Sequence, residues 1–249
     1  MFNLQTPRNR RAKDEAEKPF WISFSDLMTA LMVLFLIAMA VALMVLTQGL
    51  RTIEDKRRDR EETIKACIAD MEGLARRSEF AGVKISGHTI DFGPLAEFRK
   101  NGNQLSEERM AFMRAFVPKV LEVSRKPNCQ QWLRRFVVEG FASQEGSYLH
   151  NLNLSLERSE RVLCVLLDAS APNAPSRADR KTIRQQFLVG GSSFNAAILD
   201  KPEKSRRVAL RLEFKDLRTV CEKGDVDCED AETPPIPWDD DSKCPVLSR

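Results

Sequence analysis

The sequence predicts a single transmembrane α-helix followed by an α+β domain, a mixed sheet with helices on one face. Three observations carry this. From Leu27 to Leu46 the chain reads LMTALMVLFLIAMAVALMVL, with Thr29 as the sole polar residue. Residues 47–80 are dense in charge, and from Val83 short alternating runs trade places with amphipathic ones. The 249 residues, 43% hydrophobic and 30% charged, suit one helix and one domain, not a polytopic membrane protein or a disordered chain. Lys and Arg number 39 against 36 Asp and Glu, which gives no reason to expect direct contact with nucleic acid. His88 and His150 are the two histidines, too few for a histidine-built metal site. No nucleophile–base pair or metal cluster supports an enzyme.

Twenty apolar residues at ~1.5 Å rise cover ~30 Å, the hydrocarbon thickness of a bilayer. A signal peptide is the rival, since Ala38-Met39-Ala40 and Ala40-Val41-Ala42 look like cleavage sites. Signal cores run only ~7–15 residues, and this one continues past those alanines. Arg8, Arg10, Arg11, Lys13 and Lys18 place the N-terminus in the cytoplasm, although Arg51, Lys56, Arg57, Arg58 and Arg60 weaken the contrast. Five of the six cysteines lie beyond residue 100, a pattern suited to an oxidising compartment outside the inner membrane. The expected division is a cytoplasmic segment 1–19, a transmembrane helix 20–46, a periplasmic helical linker 47–82, a folded periplasmic domain 83–216 and a tail 217–249.

Asp26 stands directly before the uninterrupted apolar run, five residues after the interfacial anchor Trp21. A carboxylate within a bilayer is costly, and less so towards an edge. It reads either as a cap of the helix N-terminus or as an ion carrier facing a partner helix, where an acid can alternate between neutral and charged forms. In the linker, Ile64, Ile68, Met71, Leu74 and Ala75 recur at helical spacing behind the fully charged stretch Glu54 to Glu62. That stripe fits a seam with a twin helix or one face of a solvated spacer.

Beyond it, Val83–Ser86 and Thr89–Phe92 read as a strand or a tight hairpin, Leu105–Ser124 as a helix capped by Ser106, and Trp132–Phe141 as a strand. Asn151–Asp168 reads as a second helix, and Phe187–Val189 and Val208–Phe214 as two further strands. This order packs most simply as a sheet with helices on one side.

The stretch W-I-S-F-S-D-L-M-T-A-L-M-V-L-F-L resembles the transmembrane segment of MotB-type stator proteins, with Trp21, Asp26, Thr29, Ala30, Met32 and Phe35 in similar places. The resemblance implies that Asp26 carries the ion, with Ser25 and Thr29 as neighbours on its path. Gly140-Phe141-Ala142-Ser143, Gly146-Ser147-Tyr148, then Asn151, Leu154, Ser155 and Arg158, and finally Ser205-Arg206-Arg207-Val208, resemble the peptidoglycan-binding domain of the OmpA and MotB families. By that resemblance Ser143, Glu145, Tyr148, Asn151, Leu154, Arg158 and Arg207 are the wall-binding positions. Arg158 offers a planar fork to a peptide carboxylate, or else a structural bond from helix to strand. Asn151 can hold ligand amides, Tyr148 a flat wall, and Leu154 a pocket floor or a core contact. The family's ammonium-binding Asp is replaced by Ser143, and Glu145 is the carboxylate nearest to take its place.

Glu15 to Ser23 leading into D-L-M-T-A, with Gly190-Gly191 and Ser193-Phe194-Asn195, closely resembles the ZorB family of Zorya anti-phage systems. That resemblance implies a homodimer in the lipid bilayer, threading five copies of a ZorA-like (MotA-like) partner and anchored to peptidoglycan. No cofactor is implied beyond the translocated ion, a proton by default with sodium as the alternative. A flagellar stator subunit and a passive membrane-to-wall tether are the competing functions.

The tail carries Pro234-Pro235, Pro237 and the run Asp239–Asp241, so irregular structure is expected. Asp225, Asp227 and Asp230 form no calcium-loop motif. Cys67, Cys129, Cys164, Cys221, Cys228 and Cys244 are candidate disulfide cysteines, with a bridge from tail to body expected. Cys164, in the apolar run Val162 to Leu167, also reads as a buried free thiol.

Overall fold

The computed structural model describes residues 11–217 and Cys244, with side chains from Trp21 onward except those of residues 22 and 23. Cys221, Cys228 and the acidic and proline-rich parts of the tail lie outside the described residues, as do Arg8 and Arg10. Two units divide between Arg57 and Arg58. Helix α1, Arg11–Ala75, starts in the first and ends in the second.

In the first unit every side chain from Phe24 to Arg57 is exposed, including the whole apolar run. Among the described residues α1 is the one helix long and apolar enough to cross a membrane. A fully apolar surface with no protein neighbour asks for lipid or a partner helix. Asp26 lies well inside this helix rather than at its start, so it does not cap it.

In the second unit the end of α1 belongs to the domain core. Ile64, Cys67, Met71 and Leu74 are buried, and the last three join Phe80, Val83, Ile90 and Phe92 in one cluster. Much of the stripe offered to a twin helix is therefore covered by the domain itself. Cys67 forms a disulfide with Cys129 on the short helix α3, Pro127–Gln130.

The hairpin is present as β1 (Lys84–Ser86) and β2 (Thr89–Asp91). Helix α2 (Glu107–Ser124) is capped by Ser106, whose hydroxyl accepts from the Arg109 amide at 3.4 Å. Strand β3 (Leu133–Gly140) leads to α4 (Tyr148–Leu167), which starts a turn earlier than the spacing suggested because Ser147 caps it. Helix α5 (Arg177–Gln186) was not anticipated. It is almost wholly polar, burying only Arg180 and Ile183, so periodicity could not reveal it; the Ser176-x-x-Asp179 cap was its legible signal. Strand β4 (Phe187–Gly191), the turn α6 (Pro202–Ser205) and β5 (Val208–Phe214) complete the domain.

The sheet order is β1-β2-β5-β3-β4, antiparallel except for the parallel pair β3–β4, joined through α4 and α5. Phe136, Val138, Val208, Leu210 and Leu212 join the core, with Phe80, Phe92, Phe112 and Phe116 meeting at ring distances of 4.9–6.3 Å. Each wholly buried phenyl contributes about 1.5–3 kcal/mol. The alternate residues Arg135, Glu139, Arg211 and Glu213 form an ion-pair ladder, leaving the helices to one face as expected. Cys164 is not a free thiol: it is disulfide-bonded to Cys244, and this bridge fixes Cys244 to α4. Apolar surroundings alone do not distinguish a buried thiol from a buried bridge.

Candidate functional site

Two places carry chemistry, one in each unit. On α1, Trp21, Ser25, Asp26 and Thr29 line one shallow surface, as helical spacing dictates. The Thr29 hydroxyl donates to the Asp26 backbone carbonyl at 2.8 Å, which leaves the carboxylate outside that bond.

In the domain, the wall-motif residues converge where the end of β3 meets α4. Arg158 is 0% exposed, and its guanidinium donates to three backbone carbonyls: Gly102 at 3.0 Å, Phe141 at 2.7 Å and Arg99 at 3.2 Å. Its carbon lies 5.3 Å from the centre of the Phe98 ring. Desolvation by burial, followed by the nearby Arg206, pushes its pKa down to about 10, so it stays charged at neutral pH. Among the described residues no carboxylate is paired with this buried cation. Buried charges normally have a counter-ion. Here three backbone carbonyls take that place, and the helix-to-strand bond is formed.

Asn151, also buried, donates its amide to the carbonyls of Glu145 at 2.8 Å and Ser147 at 3.1 Å. It shapes the loop before α4, so its nitrogen holds protein carbonyls where a ligand contact had been expected. Leu154 is buried, in keeping with a core contact. Ser143 is buried as well, whereas Glu145 is exposed and pairs with Lys100 at 2.8 Å. Tyr148 is exposed; its ring meets Phe194 edge-on at 5.6 Å, and its hydroxyl accepts from Asn195 at 3.4 Å. Arg207 stacks on Phe141 at 4.6 Å and is held by Asp91 at 3.1 Å.

Sequence reasoning missed the loop of residues 99–104. It lines a cleft with Glu157, and Arg158 and Arg161 hold its carbonyls at Arg99, Gly102 and Asn103. No motif marks this loop. Its only signal was Asn101-Gly102, a turn dipeptide in which Asn101 adopts φ 54°.

The chain is 40% identical over 239 residues to the Zorya protein ZorB of Escherichia coli O139:H28, covering 95% of each. Among solved structures it is similar to the periplasmic domain of Helicobacter pylori MotB, with 14% identity, 57% of this chain and 85% of that one covered, and a TM-score of 0.40. It is also similar to the peptidoglycan-associated lipoprotein of Burkholderia pseudomallei, with 12% identity, coverage of 57% and 99%, and a TM-score of 0.33. No family model matches the chain.

Proposed function

The chain belongs to the ZorB family of Zorya proteins, and from that premise we propose that it is the ion-carrying, wall-anchored subunit of an inner-membrane motor used against phage. Two copies cross the membrane once each, N-terminus in the cytoplasm, inside a ring of five ZorA-like subunits. Asp26 takes up and releases a proton, with sodium the alternative, as the ring turns. The periplasmic domain holds peptidoglycan, so the ring turns against a fixed point.

The observation that carries this reading is the position of Asp26 inside an exposed apolar helix, beside Ser25 and Thr29. An anchor needs apolar residues only, and capping does not account for an acid within the helix. Wall anchoring is supported by the convergence of the motif residues where β3 meets α4, with Tyr148 and Glu145 exposed there and the buried Arg158 fixing the neighbouring loop.

The test is the plating efficiency of phage on cells carrying the whole operon, wild type against Asp26→Asn, with membrane levels matched by immunoblot. Protection is expected to vanish in the variant. Protection that persists would make the protein a tether, and a wild type that gives no protection would turn attention to motility.

A further inference from the structure

The N-x-x-L-S-x-x-R residues position a charged pair that no motif contains. Arg158 holds the carbonyls of Arg99 and Gly102, on either side of Lys100, and Asn151 holds the carbonyl of Glu145. The two loops so fixed place the Lys100 ammonium 2.8 Å from the Glu145 carboxylate, and both side chains are largely exposed, at 62% and 48%. Asn101, next to Lys100, keeps a left-handed φ of 54° that asparagine tolerates, so this loop is shaped and not simply extended. The position where an acid was expected holds the buried Ser143, which leaves Glu145 as the acid of that loop.

We propose that Lys100 caps Glu145 in the unliganded domain, and that a free amine of a wall peptide binds by displacing it. This rests on the wall-anchoring reading above. Lys100 is chemically a tethered copy of the ligand: a primary ammonium on a flexible stem, seated on the carboxylate that would recognise one. Both ends of the pair are in water, so the contact is weak and exchangeable. Lys100 therefore competes with the ligand amine, and Glu145 supplies the site's preference for peptides with an uncrosslinked amine.

Full-length protein in detergent, pelleted with purified sacculi, tests this. Lys100→Ala is expected to bind about two- to fivefold tighter, the scale of one exposed ion pair. Glu145→Gln is expected to bind more weakly than wild type. The double variant should match Glu145→Gln, because Lys100 matters only while residue 145 is charged. On sacculi whose free amines have been acetylated, wild type and Lys100→Ala should bind equally. Binding by Lys100→Ala that is unchanged or weaker on native sacculi overturns the cap and leaves wall anchoring standing. Wild-type protein that does not pellet at all overturns wall anchoring, and the cap with it.

Discussion

Gly140 and Ser155 approach so closely that a β-carbon on the glycine would stand 1.9 Å from the serine carbonyl oxygen. The register partner of Gly140 on β4, Gly191, meets the same helix: a β-carbon there would lie 2.6 Å from Ser155 Oγ and 2.8 Å from Leu156 Cγ. Two glycines side by side let α4 rest directly on the end of the parallel pair. Ser155 Oγ then accepts from the Ser193 amide at 3.1 Å, and Arg158, one turn on, reaches the Phe141 carbonyl. The close approach is what brings the motif arginine to its site.

Gly140→Ala should therefore be among the most damaging single-methyl changes in the domain. The obstructing atoms are backbone, which cannot rotate away, so the cost is expected at roughly 3 kcal/mol, the upper part of the overpacking range. In a thermal melt of the full chain the domain transition should fall by roughly 6–12 °C. An unchanged transition would mean that α4 can lift from the sheet without loss.

This contact also explains how much could be read beforehand. The strands, the Ser106-capped helix α2, most of α4 and the motif residues were legible because alternation, a serine cap and fixed spacing are local signals. What Arg158 touches was not, since three carbonyls from segments 17, 56 and 59 residues away meet it only in the folded chain. The linker stripe shows the same limit: Met71 and Leu74 announce an apolar face, but the sequence does not say that the domain, not a twin helix, covers it. The Cys164 pairing was hidden because hydrophobic neighbours suit a thiol and a disulfide equally.

Arg158→Ala should lower both stability and wall binding. It removes three charge-assisted bonds and leaves buried carbonyls without donors, an expected loss of roughly 4 kcal/mol. Arg158→Lys keeps the charge but replaces the fork with one ammonium, so it should melt between the two and pellet less well than wild type. Binding retained by Arg158→Lys at wild-type strength would assign the residue charge alone. A melt of Arg158→Ala equal to wild type would remove its structural role.

The Cys67–Cys129 bridge gives a prediction about where the domain begins. It closes a loop of 62 residues from α1 to α3, around the core that Met71 and Leu74 enter. Loop-closure entropy for that length amounts to about 4 kcal/mol, provided the unfolded chain is otherwise free. The double variant Cys67→Ser, Cys129→Ser should thus melt roughly 8–16 °C below wild type under non-reducing conditions. Hydrogen exchange should rise at residues 64–75 more than at β3, because the end of α1 loses its covalent hold while the sheet keeps its ladder. Equal exchange at both places, with no change in melting, would show that apolar packing alone holds this segment, and that the bridge adds nothing to the boundary of the domain.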